Sequence, residues 1–170
     1  MIIGHGDIAK ALIDRKDRLY FASGVSNSQE ARESEYQREK DLLLKQGRNK
    51  HVVYFGSLSI FHPKTQYSST RYIRHKKEME ELVKKTFLHY TIVRLGNITW
   101  GNNPNTLINA VKGKIQRREL FKIPNTYRYI IDKKEFLHWI NLIPSWNCEM
   151  NITGQKTKIR DIINKYGYLK

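Results

Sequence analysis

At 170 residues, with 39% hydrophobic and 28% charged side chains, the chain is long enough for one folded domain with a sizeable core and too apolar to be disordered. No apolar run approaches the roughly 18–20 residues that cross a bilayer, and the opening Met1-Ile2-Ile3-Gly4-His5-Gly6 lacks the basic and long apolar regions of a secretory signal, so a cytoplasmic protein with no membrane partner is expected. The single cysteine, Cys148, excludes an intrachain disulfide, and 31 Lys+Arg against 16 Asp+Glu (net +15) favour anionic ligands such as nucleotides, diphosphates or nucleic acid.

In chain order, strands and helices alternate. Met1–Ile3 reads as a short entry strand ending at Gly4-His5-Gly6, followed by a helix over Asp7–Lys16 with Ile8, Ala11 and Leu12 on one face. Leu19–Ser23 is β-like, and Gly24–Ser28 a loop. Asn27 with Glu30 resembles a capping box, which predicts a polar helix to about Lys45, stopped by Gly47. His51–Ser57 reads as a buried strand and Pro63–Ser69 as a loop. Ser69 or a neighbour then caps a helix to about Lys85.

Tyr90–Leu95 is a further strand. Asn102–Asn105 makes a turn before a helix from Thr106 to Arg117. Phe121–Ile131 is extended, Lys133–Leu142 helical, Met150–Thr153 a short strand and Lys158–Tyr166 a last helix. This alternation predicts an α/β fold, a mostly parallel sheet with helices on both faces and ligands at the carboxyl ends of the strands. No repeat or linker divides the chain. One unit over 1–170 is expected, with a short substrate-side region from about 118 to 170.

Three groups of residues carry chemistry. Gly4-His5-Gly6-Asp7-Ile8-Ala9 is a G-x-G-x-x-A pattern between a strand and a helix. Gly4 permits the tight turn, Gly6 lets the backbone approach a pyrophosphate, and Ala9 lets helix and strand pack closely. Tyr72 and Lys76 stand four residues apart, on one helix face. An ammonium beside a phenol stabilises the phenolate and suits it to acid–base work near neutral pH. Ser57, at a strand end, can orient a substrate carbonyl, with Ser59 competing for that role.

In this order, the glycine turn, the serine and Tyr72-x-x-x-Lys76 resemble the extended short-chain dehydrogenase/reductase superfamily, nearest its nucleotide-sugar epimerases and dehydratases. Phe55–Phe61 is similar to the family's serine-bearing strand segment, and Arg94-Leu95-Gly96-Asn97 to the segment whose asparagine lies near the nicotinamide. Arg128–Asp132 is similar to a later segment ending in an aspartate before a helix. The resemblance implies a Rossmann-type fold binding NAD or NADP. Tyr72 would be the acid/base, Lys76 would hold the nicotinamide ribose, and Ser57 would orient the reacting oxygen. Gly4, Gly6, Asp7, Ile8, Ala9, Ala22, Ser23, Gly24, Lys76 and Asn97 would line the cofactor, with a nucleotide sugar or related hydroxyl or carbonyl compound as substrate.

Only one strand is expected between Gly6 and Ser57 where the family has three, so the form is reduced, without family strands two and three. No acidic residue follows the glycine motif at the usual distance, so NAD and NADP are not separated; Arg15, Lys16 or Arg32 would suit the 2′-phosphate of NADP. A first strand left at the sheet edge would suit cover by a partner chain, a homo-oligomer among the alternatives. Two other functions compete: a cofactor-binding sensor or scaffold without turnover, and a basic nucleic-acid binder. The second is disfavoured because the charge is diffuse and its densest cluster, Lys112, Lys114, Arg117 and Arg118, reads as a solvated helix face. The six histidines show no metal-binding spacing, so no metal is expected. His75 adjoins Lys76, but adjacent helical side chains diverge.

Overall fold

In the computed structural model, which describes residues 1–61 and 70–167, alternating apolar side chains set the layers. Strands β1 (Ile2–Ile3), β2 (Arg18–Phe21), β3 (His51–Ser57), β4 (Tyr90–Leu95) and β7 (Cys148–Ile152) form a parallel sheet in the order β1-β2-β3-β4-β7. Tyr20, Val53, Phe55, Val93 and Leu95 point to one face and pack on Ala11, Leu12, Phe136 and Ile140. Leu19, Phe21, Val52, Tyr54 and Ile92 point to the other, against Leu43, Met79 and Val83. This period-two division over strands buried on both faces is what a parallel sheet between helices requires.

Helices α1 (Asp7–Ala11) and α5 (Lys133–Asn141) cover the first face, and α2 (Glu33–Leu44) and α3 (Arg71–Thr86) the second. Cap residues fix several starts. Thr70 accepts a hydrogen bond from the Ile73 N–H, and Asp132 accepts one from the Glu135 N–H at 2.8 Å, each opening a helix. A second sheet, β5 (Asn97–Ile98), β6 (Tyr127–Ile131) and β8 (Gln155–Lys158) in the order β5-β6-β8, stands beside the strand ends with α4 (Leu107–Gln116) and α6 (Ile159–Ile162).

The expected α/β class, the parallel sheet and the reduced form are all present. Several boundaries differ. Helix α1 stops at Ala11 rather than Lys16, because Leu12 turns extended to reach the core and the chain must return to begin β2. Helix α2 begins at Glu33, not after Asn27: the Asn27 amide oxygen caps the Gln29 N–H, and the Glu30 carboxylate takes the Ala31 and Arg32 N–H groups and the Arg32 guanidinium. These short side chains stabilise local turns instead of a helix. Of Phe121–Ile131 only Tyr127–Ile131 is strand, and the expected final helix is split, with Lys158 closing β8 and a short π-helix over Ile163–Gly167. The loop expected at Pro63–Ser69 lies outside the described residues. No helix among those described is long and apolar enough to cross a membrane.

Phe136 carries the join between α5 and the sheet. It is wholly buried, with ring centroids 6.0 Å from Phe55 and 5.2 Å from Trp100. Phe136→Ala should cost about 3–5 kcal/mol in urea unfolding at an unchanged slope. A loss below about 1 kcal/mol would contradict this packing.

Candidate functional site

At the carboxyl ends of β1–β4 and β7 the chain opens into a cleft of about 1390 Å³. Its lining includes Gly6, Asp7 and Ile8 from the first turn, Ala22, Ser23 and Gly24 after β2, Ser57 and Ser59 after β3, Tyr72 and Lys76 on α3, and Asn97 on β5. Residues separated by up to 91 positions in sequence thus meet because parallel strands present all their carboxyl ends on one side. Two of the expected lining residues do not reach it. Gly4, at φ +128°, is pressed against the Ala22 carbonyl, where a side chain has no room, and Ala9 is buried in the packing of α1. Both shape the turn from beneath.

Tyr72 and Lys76 do share a face of α3. The Lys76 Nζ lies 5.8 Å from the Tyr72 ring centroid, and both residues are more than nine-tenths buried. Ser57 and Ser59 are joined, their hydroxyl oxygens 2.7 Å apart, while the Ser59 N–H donates to Ser57 Oγ at 3.2 Å. The two candidate serines therefore act as one hydrogen-bonded unit. Asn97 reaches away, its side-chain amide donating to the Tyr129 carbonyl at 3.0 Å.

The sequence reading missed the carboxylate beneath them. Glu39 of α2 is wholly buried and takes four donors: the Val25 N–H at 2.6 Å, the Tyr54 hydroxyl at 2.8 Å, His75 Nε2 at 2.9 Å and Lys76 Nζ at 3.2 Å. Burial opposes its ionisation, but the Lys76 ammonium, the His75 ring and the Val25 N–H outweigh that and hold the carboxyl at about 2. Adjacent side chains His75 and Lys76 are not kept apart by helix geometry, because one carboxylate bridges them through its two oxygens. Desolvation first, and then the neighbouring Glu39 charge, push the Tyr54 phenol well above its ordinary range, so it stays a donor.

Gly24 makes room for this cluster; a Cβ there would stand 2.7 Å from Lys76 Nζ and 2.9 Å from Glu39 Oε1. One helical turn on, Glu80 and Arg94 repeat the device beneath Gly56. Arg94 Nη2 donates to Glu80 at 2.6 Å and to Glu149 at 2.5 Å, and a Cβ on Gly56 would lie 2.8 Å from Glu80 Oε1.

Asp7 lines the cleft, and its carboxylate accepts the Asn102 and Asn103 N–H groups at 3.1 and 2.9 Å, tying the first turn to the loop before α4. Arg38 is a cleft cation the sequence did not single out; its guanidinium donates to Ser23 Oγ and the Ser23 carbonyl at 3.3 and 3.2 Å. On the opposite side Tyr127, Arg128, Tyr129 and Lys156 line the cleft, with Lys156 Nζ 5.2 Å from the Tyr127 ring centroid. Arg15, Lys16 and Arg32 do not line it, and Arg15 and Arg32 are paired with Asp17 and Glu30.

No protein-family model matches the sequence, and no curated protein is similar to it at a significant level. Solved structures are similar in fold. They include the Bordetella bronchiseptica enzyme WbmG in complex with NAD, at TM-score 0.64 and 15% identity, with 89% of this chain and 56% of that one covered. A UDP-glucuronic acid 4-epimerase from Bacillus cereus, in complex with UDP-glucuronic acid and NAD, matches at TM-score 0.66 and 15% identity over 87% and 57% of the two chains. A UDP-N-acetylglucosamine 4-epimerase from Methanobrevibacter ruminantium, in complex with UDP-N-acetylmuramic acid, matches at 0.64 and 15% over 88% and 59%. The chain therefore has the Rossmann-type fold of these enzymes in shortened form, spanning less than three-fifths of each of their lengths.

The Glu39 cluster makes acid stability readable. Its carboxyl titrates near 4.5 when free and near 2 when folded, so its contribution is complete above about 4.5 and is lost as pH falls toward 2. Glu39→Gln should lower Tm at neutral pH and flatten the fall of Tm across that acid window. An identical slope in both proteins would show that the carboxylate is not held as described.

Proposed function

We propose that this chain is an NAD(P)-dependent enzyme of the epimerase, dehydratase or reductase kind, acting on a nucleotide sugar or a related hydroxyl or carbonyl compound. The observation that carries the reading is the meeting of the glycine turn, Ala22–Gly24, Ser57, Tyr72 and Lys76 in one cleft. Support also comes from the shared fold with enzymes solved with NAD and with UDP-linked ligands.

The residues present fit the nicotinamide and diphosphate part of such a cofactor. At Gly6 the backbone, φ −74° and ψ −177°, is open to any residue, and a Cβ there would meet nothing within 4 Å. The fold itself does not ask for glycine at this position. A diphosphate lying close to the main chain does. Gly6–Ile8 and Arg38 would hold the diphosphate, Ala22–Gly24 would pass beneath the ribose, and Lys76 would meet its hydroxyls. Tyr127, Arg128, Tyr129 and Lys156, in the region from about 118 onward, offer a substrate an aromatic and cationic wall.

The nicotinamide ring, when bound, supplies the hydride acceptor or donor. The protein supplies the proton chemistry and the alignment. Tyr72 takes the proton of a substrate hydroxyl as that carbon is oxidised and returns it when the carbonyl is reduced. The Ser57 hydroxyl, held by Ser59, donates to the same substrate oxygen and keeps it against the phenol. Lys76, fixed by Glu39, stabilises negative charge on the Tyr72 oxygen. Because Glu39 offsets part of the ammonium's field, binding without turnover is the second reading, and this ion pair is what favours it.

Two variants test the proposal. Tyr72→Phe should leave Tm unchanged and lower hydride transfer, followed by the absorbance of the reduced nicotinamide, by roughly 10²–10⁴. An unaltered rate would end the catalytic assignment. Gly6→Ala should leave the free protein's Tm within about 1 °C yet weaken cofactor binding by about tenfold or more in calorimetric titration. Undiminished affinity would place the diphosphate elsewhere.

A further inference from the structure

The sheet ends where a dinucleotide would need it to continue. Strand β1 has one neighbour, β2, through the pairs Ile2↔Tyr20 and Ile3↔Phe21, and among the described residues no strand lies on its other side. The chain between β1 and β2 is fully described and holds only the five-residue helix α1, so the gap is internal. Within this sheet the strands that lend residues to the cleft, β3, β4 and β7, all stand on the β2 side of β1.

A Rossmann-type fold holds a dinucleotide across its switch point, one mononucleotide on each βαβαβ half. The half that normally receives adenosine is completed by two strands beyond β1, and an acid about 20 residues past the glycine turn binds the ribose 2′-hydroxyl. Here that half is absent among the described residues. The Lys and Arg residues between β1 and β2, Lys10, Arg15 and Lys16, do not line the cleft either. The other half is complete, with Ser57, Tyr72, Lys76 and Gly24 around it.

Resting on the cofactor reading above, we propose that the cleft recognises only the nicotinamide–ribose–phosphate half of the coenzyme and leaves adenosine in solvent. The ligand class is then any nicotinamide ribosyl phosphate. The mononucleotide is gripped almost as well as the dinucleotide, and an added 2′-phosphate on the adenosine changes little. Selectivity resides in the phosphate at Gly6 and the ring beside Tyr72. An adenine nucleotide lacking nicotinamide has only the diphosphate contact.

Calorimetric titration of the intact chain with nicotinamide mononucleotide, NAD, NADP and ADP decides this. The expected result is binding of the first three with dissociation constants within about threefold of one another, and ADP weaker by about tenfold or more. NAD binding more than about 30-fold tighter than the mononucleotide, or ADP matching NAD, would overturn the inference while leaving the cofactor reading standing. Failure of all three nicotinamide nucleotides to bind would overturn the cofactor reading and this inference with it.

Discussion

Glu39 is the constraint on which the site depends. Its carboxylate is buried between α2 and α3 and fixes three elements at once: the Val25 N–H after β2, the Tyr54 hydroxyl on β3, and His75 and Lys76 on α3. Removing one partner from such a cluster strands the others in a dry interior, at a cost of about 3–5 kcal/mol. A well-packed apolar replacement of the entire cluster would be about as stable, so the pair contributes little as core. Its value lies in position. It pins an ammonium beneath the cleft, 5.8 Å from the Tyr72 ring centroid.

The second ion pair extends the same logic. Lys76 and Glu80 are one turn apart on α3, and each pairs beside a glycine, Gly24 in the loop after β2 and Gly56 in β3. Side chains at those glycines would displace the charged groups. The cleft floor is therefore set by where the chain lacks Cβ atoms as much as by where it carries functional groups. The Tyr72 and Lys76 side of the cleft rests on four continuous parallel strands, while its far side ends abruptly at β1.

Much of this was legible in the sequence. Strands such as His51–Ser57 and Tyr90–Leu95 were read to the residue because burial on both faces leaves adjacent apolar residues, Val52–Phe55 and Ile92–Val93, at their centres. The missing strands were read from the single strand-like segment, Leu19–Ser23, between Gly6 and Ser57. Tyr72, Lys76 and Ser57 do reach one cleft, since a helical i,i+4 pair and a strand end are local geometries. What escaped depends on distant partners. Glu39 lies in Glu33–Leu44, a segment so charged that it reads as solvated, although Tyr36, Glu39 and Leu43 fall on one helical face and could have marked it. Strands β5 and β8 are two and four residues long, and β8 reads Gln-Lys-Thr-Lys; only pairing with β6 makes them strands. Helix α1 ended early for a tertiary reason that no stop residue announces.

We propose that this reduced Rossmann scaffold sets a nicotinamide ring against the Tyr72 phenol. The direct measurement is a crystal structure of the protein soaked with the reduced dinucleotide. The account requires the ring to lie against Tyr72 and Ser57, with the phosphate over Gly6 and the adenosine without ordered protein contacts. A ring bound outside this cleft, or a cleft that stays empty at saturating ligand, would contradict it.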